Sequence, residues 1–437
     1  MKSEIVSSEI IKPSSASPNR PRIHHLSFFD QISSCIYIPV IFFYPKQQLS
    51  HNPIDDDIVH KSTLLKESLS LTLSHYYPLA GRIKDDLTID CNDKGVEFLE
   101  ARMRSNLSEI LKHPDDSTLK SLFPGDLQYK DPILSSLLIV QSTFFDCGGM
   151  AVAVCISHKI SDIASMCYFI NHWAAIACSQ GEKLCPEFNL GSLYPPIDLP
   201  VTETYQGEKV KCVSRRLVFD ALKIAKLKEM VAKEVSNPTR VEVVSAILYR
   251  SAISAARLRS GSSKPTAMHN AANLRPRVLP PLPECSAGNI SGTFSVTTME
   301  DSVIELVQLA SEVKKEKTEY CNSCGQKFSA EELCAFVLDA SVGLRLCHGK
   351  DQDVYLCSSF CRYPFYDADF GWGKPGWVTV ASCEVKNVII LMDTKCGDGI
   401  EAYVTLEEQE MDLFENDEEL LCFACINPCV LPESNSH

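Results

Sequence analysis

Apolar residues recur along the chain in two rhythms, one of about two residues and one of about 3.6, and the switches between them mark out the expected elements. The first residues, up to about Arg22, read as a partly extended arm. "HLSFFDQ" and "IYIPVIFFY" then predict a strand and its approach. Leucines at helical spacing in "DIVHKSTLLKESLSLTLSHYY" predict a helix that stops before Pro78, because a residue preceding proline is pushed away from helical geometry. Leu87, Ile89 and Cys91 alternate, Asn92 to Gly95 supply turn residues, and Val96, Phe98 and Leu99 return, so this stretch predicts a hairpin.

"LLIVQSTFF" and "MAVAVCIS" flank Cys147-Gly148-Gly149 and predict two strands. The second is so uniformly apolar that both its faces are expected to be buried. From Ser161 the pattern turns helical through about Ala177, with Ser161 or Asp162 placed to cap it. A stretch rich in proline and polar residues, 196–212, reads as a crossing linker between a first domain, 1–195, and a second, 213–437. The second half opens with a strand, "SRRLVFD", then a helix, "ALKIAKLKEMVAKE", then another after Pro238, "RVEVVSAILYRSAISAARL". Strands follow near "GNISGTFSVTTM", "GWVTVASC" and "NVIILMD", and an acidic amphipathic helix, "EEQEMDLFENDEELLCFA", closes the chain. Strands and helices alternate in both halves, which predicts α/β layers in each.

Length supports the division, since 437 residues exceed the size at which a single core usually stops growing, about 250–300 residues. With 45% hydrophobic and 22% charged residues the chain reads as globular, neither disordered nor membrane-embedded. The net charge of −14, without a basic stripe, disfavours nucleic acid as a partner. It leaves room for a local basic pocket, as an anionic coenzyme requires. No signal-peptide pattern opens the chain, and the apolar run from Cys35 to Tyr44 is about half the roughly 20 residues a membrane span needs. A cytoplasmic protein without a membrane partner is expected, its 20 cysteines reduced and mostly buried. Cys321-x-x-Cys324, with Cys334, Cys347-His348, Cys357 and Cys361, has the residue types of a structural zinc site. The second pair lacks a regular knuckle spacing, so a variable loop and helix with no metal is the expectation.

Two short stretches carry candidate chemistry. In "SHKISDIASM", His158 ends a strand just before a capped helix, a rigid and reachable setting for a base, and histidine is the residue type suited to take a proton from an alcohol. Alone, His158 and Asp162 also fit a core histidine beside a helix cap. In "CRYPFYDADFGWGKP", two glycines, an aromatic pair and an acid fit a tight backbone path, which a packed turn satisfies equally well.

Together, in this order, the HxxxD and DFGWG motifs resemble the plant BAHD acyltransferases, which use coenzyme A thioesters. "YYPLAGR", "FDCGG", "NLRPR", Gly288-Asn289 and "LMDTKCGDGIEA" extend the resemblance over nearly the full length. Within the family the chain looks most like the branch containing vinorine synthase and deacetylvindoline acetyltransferase.

The resemblance implies two similar-sized domains of the CoA-dependent, chloramphenicol acetyltransferase-like type, with a channel between them. It implies transfer of acetyl from acetyl-CoA, a co-substrate, to a hydroxyl of a plant specialised metabolite of alkaloid type. No permanently bound cofactor and no covalent acyl-enzyme are needed, and a monomer is expected. His158 would be the general base in the channel, reached by a small-molecule alcohol from one face and by acyl-CoA from the other. Asp162 would point away from it and pair with Arg275, supporting the site structurally. Asp369, Phe370, Gly371 and Gly373 would likewise be structural, while the indole N–H of Trp372 would aid an oxyanion. Asn289 and Ser358 are assigned to the coenzyme. The rival readings are an aromatic-acyl transferase using benzoyl or hydroxycinnamoyl donors, a non-catalytic relative that binds small molecules, and, more remotely, a thiol or metal hydrolase.

Overall fold

The structure is a computed structural model describing residues 2–15, 21–46, 53–125, 135–179, 185–199, 210–300, 302–326, 328–346, 352–381 and 385–431. Part of the expected linker, 200–209, and Cys347-His348 lie outside the described residues.

The most apolar stretches form the centre of a six-stranded sheet. Its order is Glu4–Ile11, Val96–Met103, Leu138–Phe145, Met150–Ser157, Tyr37–Tyr44 and Trp377–Val380. Because side chains alternate across a strand, Val152, Val154 and Ile156 face one core while Ala151, Ala153 and Cys155 face another. Helices Ile54–His75 and Ile163–Ala177 cover the first face with Leu65, Leu69, Leu73, Phe169 and Trp173. The short helices Leu107–Lys112 and Asp116–Ser121 cover the second. The strand expected to be buried on both faces is so, and its partner Leu138–Phe145 is equally buried.

The second half builds a seven-stranded mixed sheet, ordered Ser291–Thr298, Thr266–Asn273, Asp353–Ser359, Val388–Asp393, Ile400–Glu407, Cys212–Phe219 and Cys425–Ile426. Helices Ala221–Val231 and Arg240–Ser260 bury Ile224, Leu227, Val244, Ile247 and Leu248 against Phe219, Met268, Leu391 and Val404. Thr239 and Glu242 form a capping box that starts the longer helix, and Gly261 ends it.

Three local expectations are corrected. The stretch around Asn92 is not a hairpin. Thr88–Asp90 pairs with Arg82–Asp85 and Ile23–His25 in a separate three-stranded sheet, whereas Val96–Met103 joins the six-stranded one. The tight turn lies instead at Asp85, whose carboxylate accepts from the Leu87 N–H at 3.0 Å. The closing acidic helix is two helices, Glu408–Phe414 and Glu418–Phe423, because Asp417 caps a new start by accepting from the Leu420 N–H. Finally, "HLSFFDQ" is mostly helical, Phe28–Ile32, started by a Ser27–Asp30 capping box.

Trp377–Val380 pairs antiparallel with Tyr37–Tyr44, so a strand from late in the chain completes the first sheet. The two sheets are therefore not built from two uninterrupted stretches of sequence. Buried Glu401 fixes this crossing: its Oε2 accepts from Arg216 Nε at 2.6 Å, Tyr403 O–H at 2.9 Å and Trp377 Nε1 at 3.2 Å. Trp377 also stacks on Phe43 at 5.1 Å and receives the Arg216 guanidinium over its ring at 5.2 Å. Trp377→Ala should therefore destabilise the protein by about 3–5 kcal/mol, measured as a lowered denaturation midpoint, and a midpoint close to the parent's would contradict this account.

Candidate active site

His158 follows directly on strand Met150–Ser157, and its N–H donates to the Ile36 carbonyl at 2.7 Å, which holds the residue against the neighbouring strand. Its ring is half-buried. The other side of the site comes from the second half of the chain, where Asn289 precedes strand Ser291–Thr298 and is fully buried. The Asn289 Nδ2 donates to Asp30 Oδ1 and to the His158 carbonyl, each at 2.8 Å. With the amide nitrogen between two acceptors, Oδ1 is the atom that faces His158 Nδ1 at 3.0 Å. An oxygen acceptor there requires the proton on Nδ1, which leaves the Nε2 lone pair free. Both ends of the Asn289 carboxamide are thereby engaged by His158 and Asp30.

Asp162 occupies the N-cap of helix Ile163–Ala177, where Oδ1 accepts from the Ser165 N–H at 2.9 Å. Its other oxygen accepts from Arg275 Nη1 at 2.7 Å and from the Ile290 N–H at 3.0 Å. It is turned into the protein rather than toward the His158 ring. Burial opposes its charge, but the Arg275 guanidinium and the two backbone N–H groups outweigh that and hold its carboxyl below the ordinary carboxylate range. Arg275 is itself 2% exposed, and its other nitrogens donate to Ser165 Oγ and to the carbonyls of Ser286 and Gly288. One loop, residues 286–290, thus serves both the ion pair and the base.

The DFGWG segment lies elsewhere. Asp369 Oδ1 accepts from the N–H groups of Gly371 and Gly373, both at 2.8 Å, closing a tight path whose glycines sit at φ 105° and 92°. Phe370 is buried edge-on against Trp173 at 4.8 Å. Trp372 packs on Tyr44, which pairs with Met150 at the far end of the His158 strand. Eight residues separate Met150 from His158, about 25 Å at a rise of roughly 3.3 Å per residue. Trp372 thus packs toward the end of the strand remote from His158.

Ser358 pairs with Ile390, and Ile390 and Met392 pack against the core of the first half, so Ser358 sits on the sheet face turned toward the seam. A cleft of about 1420 Å³ opens on the other, helix-covered face, lined among others by Arg240, Glu242, Arg277, Lys317 and Cys357. It reaches Asn273 and Tyr363 but not His158, so volume alone does not locate the base. Among the described residues no group of three or more His, Cys, Asp or Glu side chains is arranged to hold a metal. Also among them, no helix is long and apolar enough to cross a membrane. Sequence reasoning missed Asp30, Ser165 and the role of Asn289. Only Ser27-x-x-Asp30 left a local sign, the spacing of a capping box.

Comparison with known proteins places this geometry. The Transferase family model matches residues 1–421. A 17,18-epoxy-17-hydroxycur-19-ene N-malonyltransferase of Strychnos nux-vomica is 40% identical over 426 residues, covering 97% of this chain and 90% of that protein. The crystal structure of vinorine synthase superposes with a TM-score of 0.84 at 32% identity, covering 97% of this chain and 98% of that one. The F. sporotrichioides TRI101 complex with coenzyme A and T-2 shares the fold, with a TM-score of 0.71 at 16% identity, over 93% of this chain and 99% of that one. The chain has the two-domain acyltransferase fold and belongs to the Transferase family, the BAHD acyltransferases.

Proposed function

We propose that this acyltransferase moves acetyl from acetyl-CoA to a hydroxyl of an alkaloid-type plant metabolite, with His158 as general base. The observation that carries the reading is the His158–Asn289 contact at 3.0 Å, which sets Nδ1 on an oxygen acceptor and so, in the neutral ring, supports an Nε2 with its lone pair available. In this reading Nε2 takes the hydroxyl proton as the oxygen attacks the thioester carbonyl. The tetrahedral oxyanion then collapses, the carbon–sulfur bond breaks, and the CoA thiolate leaves with the proton returned from the imidazolium. Holding donor and acceptor together supplies the remaining advantage. The resemblance to the alkaloid-acetylating branch supports the acetyl group and the acceptor class. The Strychnos relative, named for N-malonyl transfer, favours a second reading in which the acyl group is malonyl.

Asp162 and Arg275 serve in this account as the buried frame of the site, and Ser358, on the face turned to the seam, is a coenzyme contact. The domains divide within 196–212, with Trp377–Val380 returned to the first. The protein acts as a cytoplasmic monomer.

His158→Ala should lower kcat by about 10²- to 10⁴-fold while leaving KM for either substrate nearly unchanged. Ester and free CoA measured by mass spectrometry, with acetyl-CoA, malonyl-CoA and benzoyl-CoA in competition, check both base and donor. Equal turnover by the variant would remove His158 from the mechanism, and preference for malonyl-CoA would replace the acetyl reading.

Asp162→Asn leaves the Arg275 charge buried without its partner and should cost about 3–5 kcal/mol near neutral pH. Since the folded carboxyl is held below its unfolded value of about 3.9, its stabilisation is complete above that value and is lost as pH falls through the depressed one. The stability difference between parent and variant, followed by denaturant titration at a series of pH values, should accordingly shrink on acidification. A difference independent of pH would show that the carboxylate's charge is not what stabilises.

A further inference from the structure

We infer that Asp30 is a positioning residue that sets the tautomer of His158 through Asn289. The inference rests on the reading of His158 as base but has a readout of its own. Asp30 is 2% exposed and lies on helix Phe28–Ile32, far from the HxxxD and DFGWG motifs in sequence. Its two oxygens are divided between two tasks. Oδ2 accepts from the Ser27 N–H at 2.9 Å and the Ser27 hydroxyl at 2.7 Å, which closes the capping box. Oδ1 accepts from the Asn289 N–H and from its Nδ2, both at 2.8 Å.

A carboxylate offers acceptors only, so the Asn289 group facing it must be the NH₂ end. The carboxamide has one orientation left, with Oδ1 on His158 Nδ1. A proton on Nδ1 and a free Nε2 follow. The His158 carbonyl, the second acceptor for the same NH₂, makes the arrangement a closed ring in which every buried polar atom is paired. The helix that carries Asp30 is held in place by Phe28 and Phe29, which pack with Leu274 and Ile290 of the second half. The acid therefore ties the base's chemistry to the docking of the two halves.

No orientation of an asparagine reproduces this pattern. Each Asp30 oxygen takes one backbone N–H, so either choice leaves an amide NH₂ against a buried donor. In Asp30→Asn only the His158 carbonyl still holds the Asn289 NH₂, so the carboxamide is no longer limited to one orientation and part of the His158 population carries its proton on Nε2, where it cannot act as base.

The test is nitrogen-15 NMR of the full chain labelled at histidine, with His158→Gln to assign the signals. In the parent at a pH where the ring is neutral, His158 should show a protonated Nδ1 and an unprotonated Nε2. In Asp30→Asn the single tautomer should be lost. Its kcat should fall by about 10²-fold or more, with KM changed little, as expected when a base is held in the wrong tautomer. An Asp30→Asn protein that keeps the Nδ1–H signature would overturn the inference. So would a parent protein whose neutral His158 carries its proton on Nε2, a result that needs no variant to fold. The two readings fail separately: activity retained in His158→Ala would remove the base while leaving the tautomer result intact.

Discussion

Asp162 and Arg275 place opposite charges together where the halves of the chain meet, out of reach of bulk water. Removing such a pair from water carries a desolvation cost of several kcal/mol per ion, offset only when the geometry is good and the remaining hydrogen-bonding groups are filled. That requirement reaches well beyond the pair. Arg275 needs the carbonyls of Ser286 and Gly288 and the hydroxyl of Ser165, and Asp162 needs the N–H groups of Ser165 and Ile290. The end of one helix and the loop entering one strand are fixed against each other as a result.

The same loop presents Asn289 to His158, so the ion pair supports the base without touching it. This accounts for an acid four residues from a histidine that does not act on it. An acid at i+4 shares a face with its partner only when both residues are helical. Here His158 ends a strand, and Asp162 caps the helix that follows. The spacing in HxxxD is the length of turn needed to pass from one element to the other, and its two residues meet the same loop of the second half, His158 through Asn289 and Asp162 through Ile290.

A second network, around Glu401, also joins the sheets. Arg216, Trp377 and Tyr403 all donate to one carboxylate oxygen, and a strand from late in the chain is thereby held at the edge of the first sheet. The seam is consequently crossed by backbone pairing and by buried polar contacts as well as by apolar packing. The DFGWG turn follows from the same crossing: it carries the chain from the neighbourhood of Tyr363 to the far end of the first sheet, where Phe370 and Trp372 anchor it.

The alternation of strands and helices, the doubly buried strand before His158, the Asp162 cap and the membership of an acyltransferase family were legible in the sequence. Each depends on bonding within a short stretch or on motif order, and both survive any choice of partner. The partners themselves were not legible. Thr88–Asp90 alternates correctly for a hairpin with Val96–Met103, yet pairs elsewhere because long-range packing decides which edges meet. Trp372 sits in a family motif, but its distance from His158 is set by sheet register. Asn289 and Asp30 have no spacing in common with His158, and only the docked halves bring a carboxylate, an amide and an imidazole into one hydrogen-bonded line. Local periodicity reports how a segment bonds to itself, whereas the protonation geometry of the site is settled where buried polar groups from distant segments must satisfy one another.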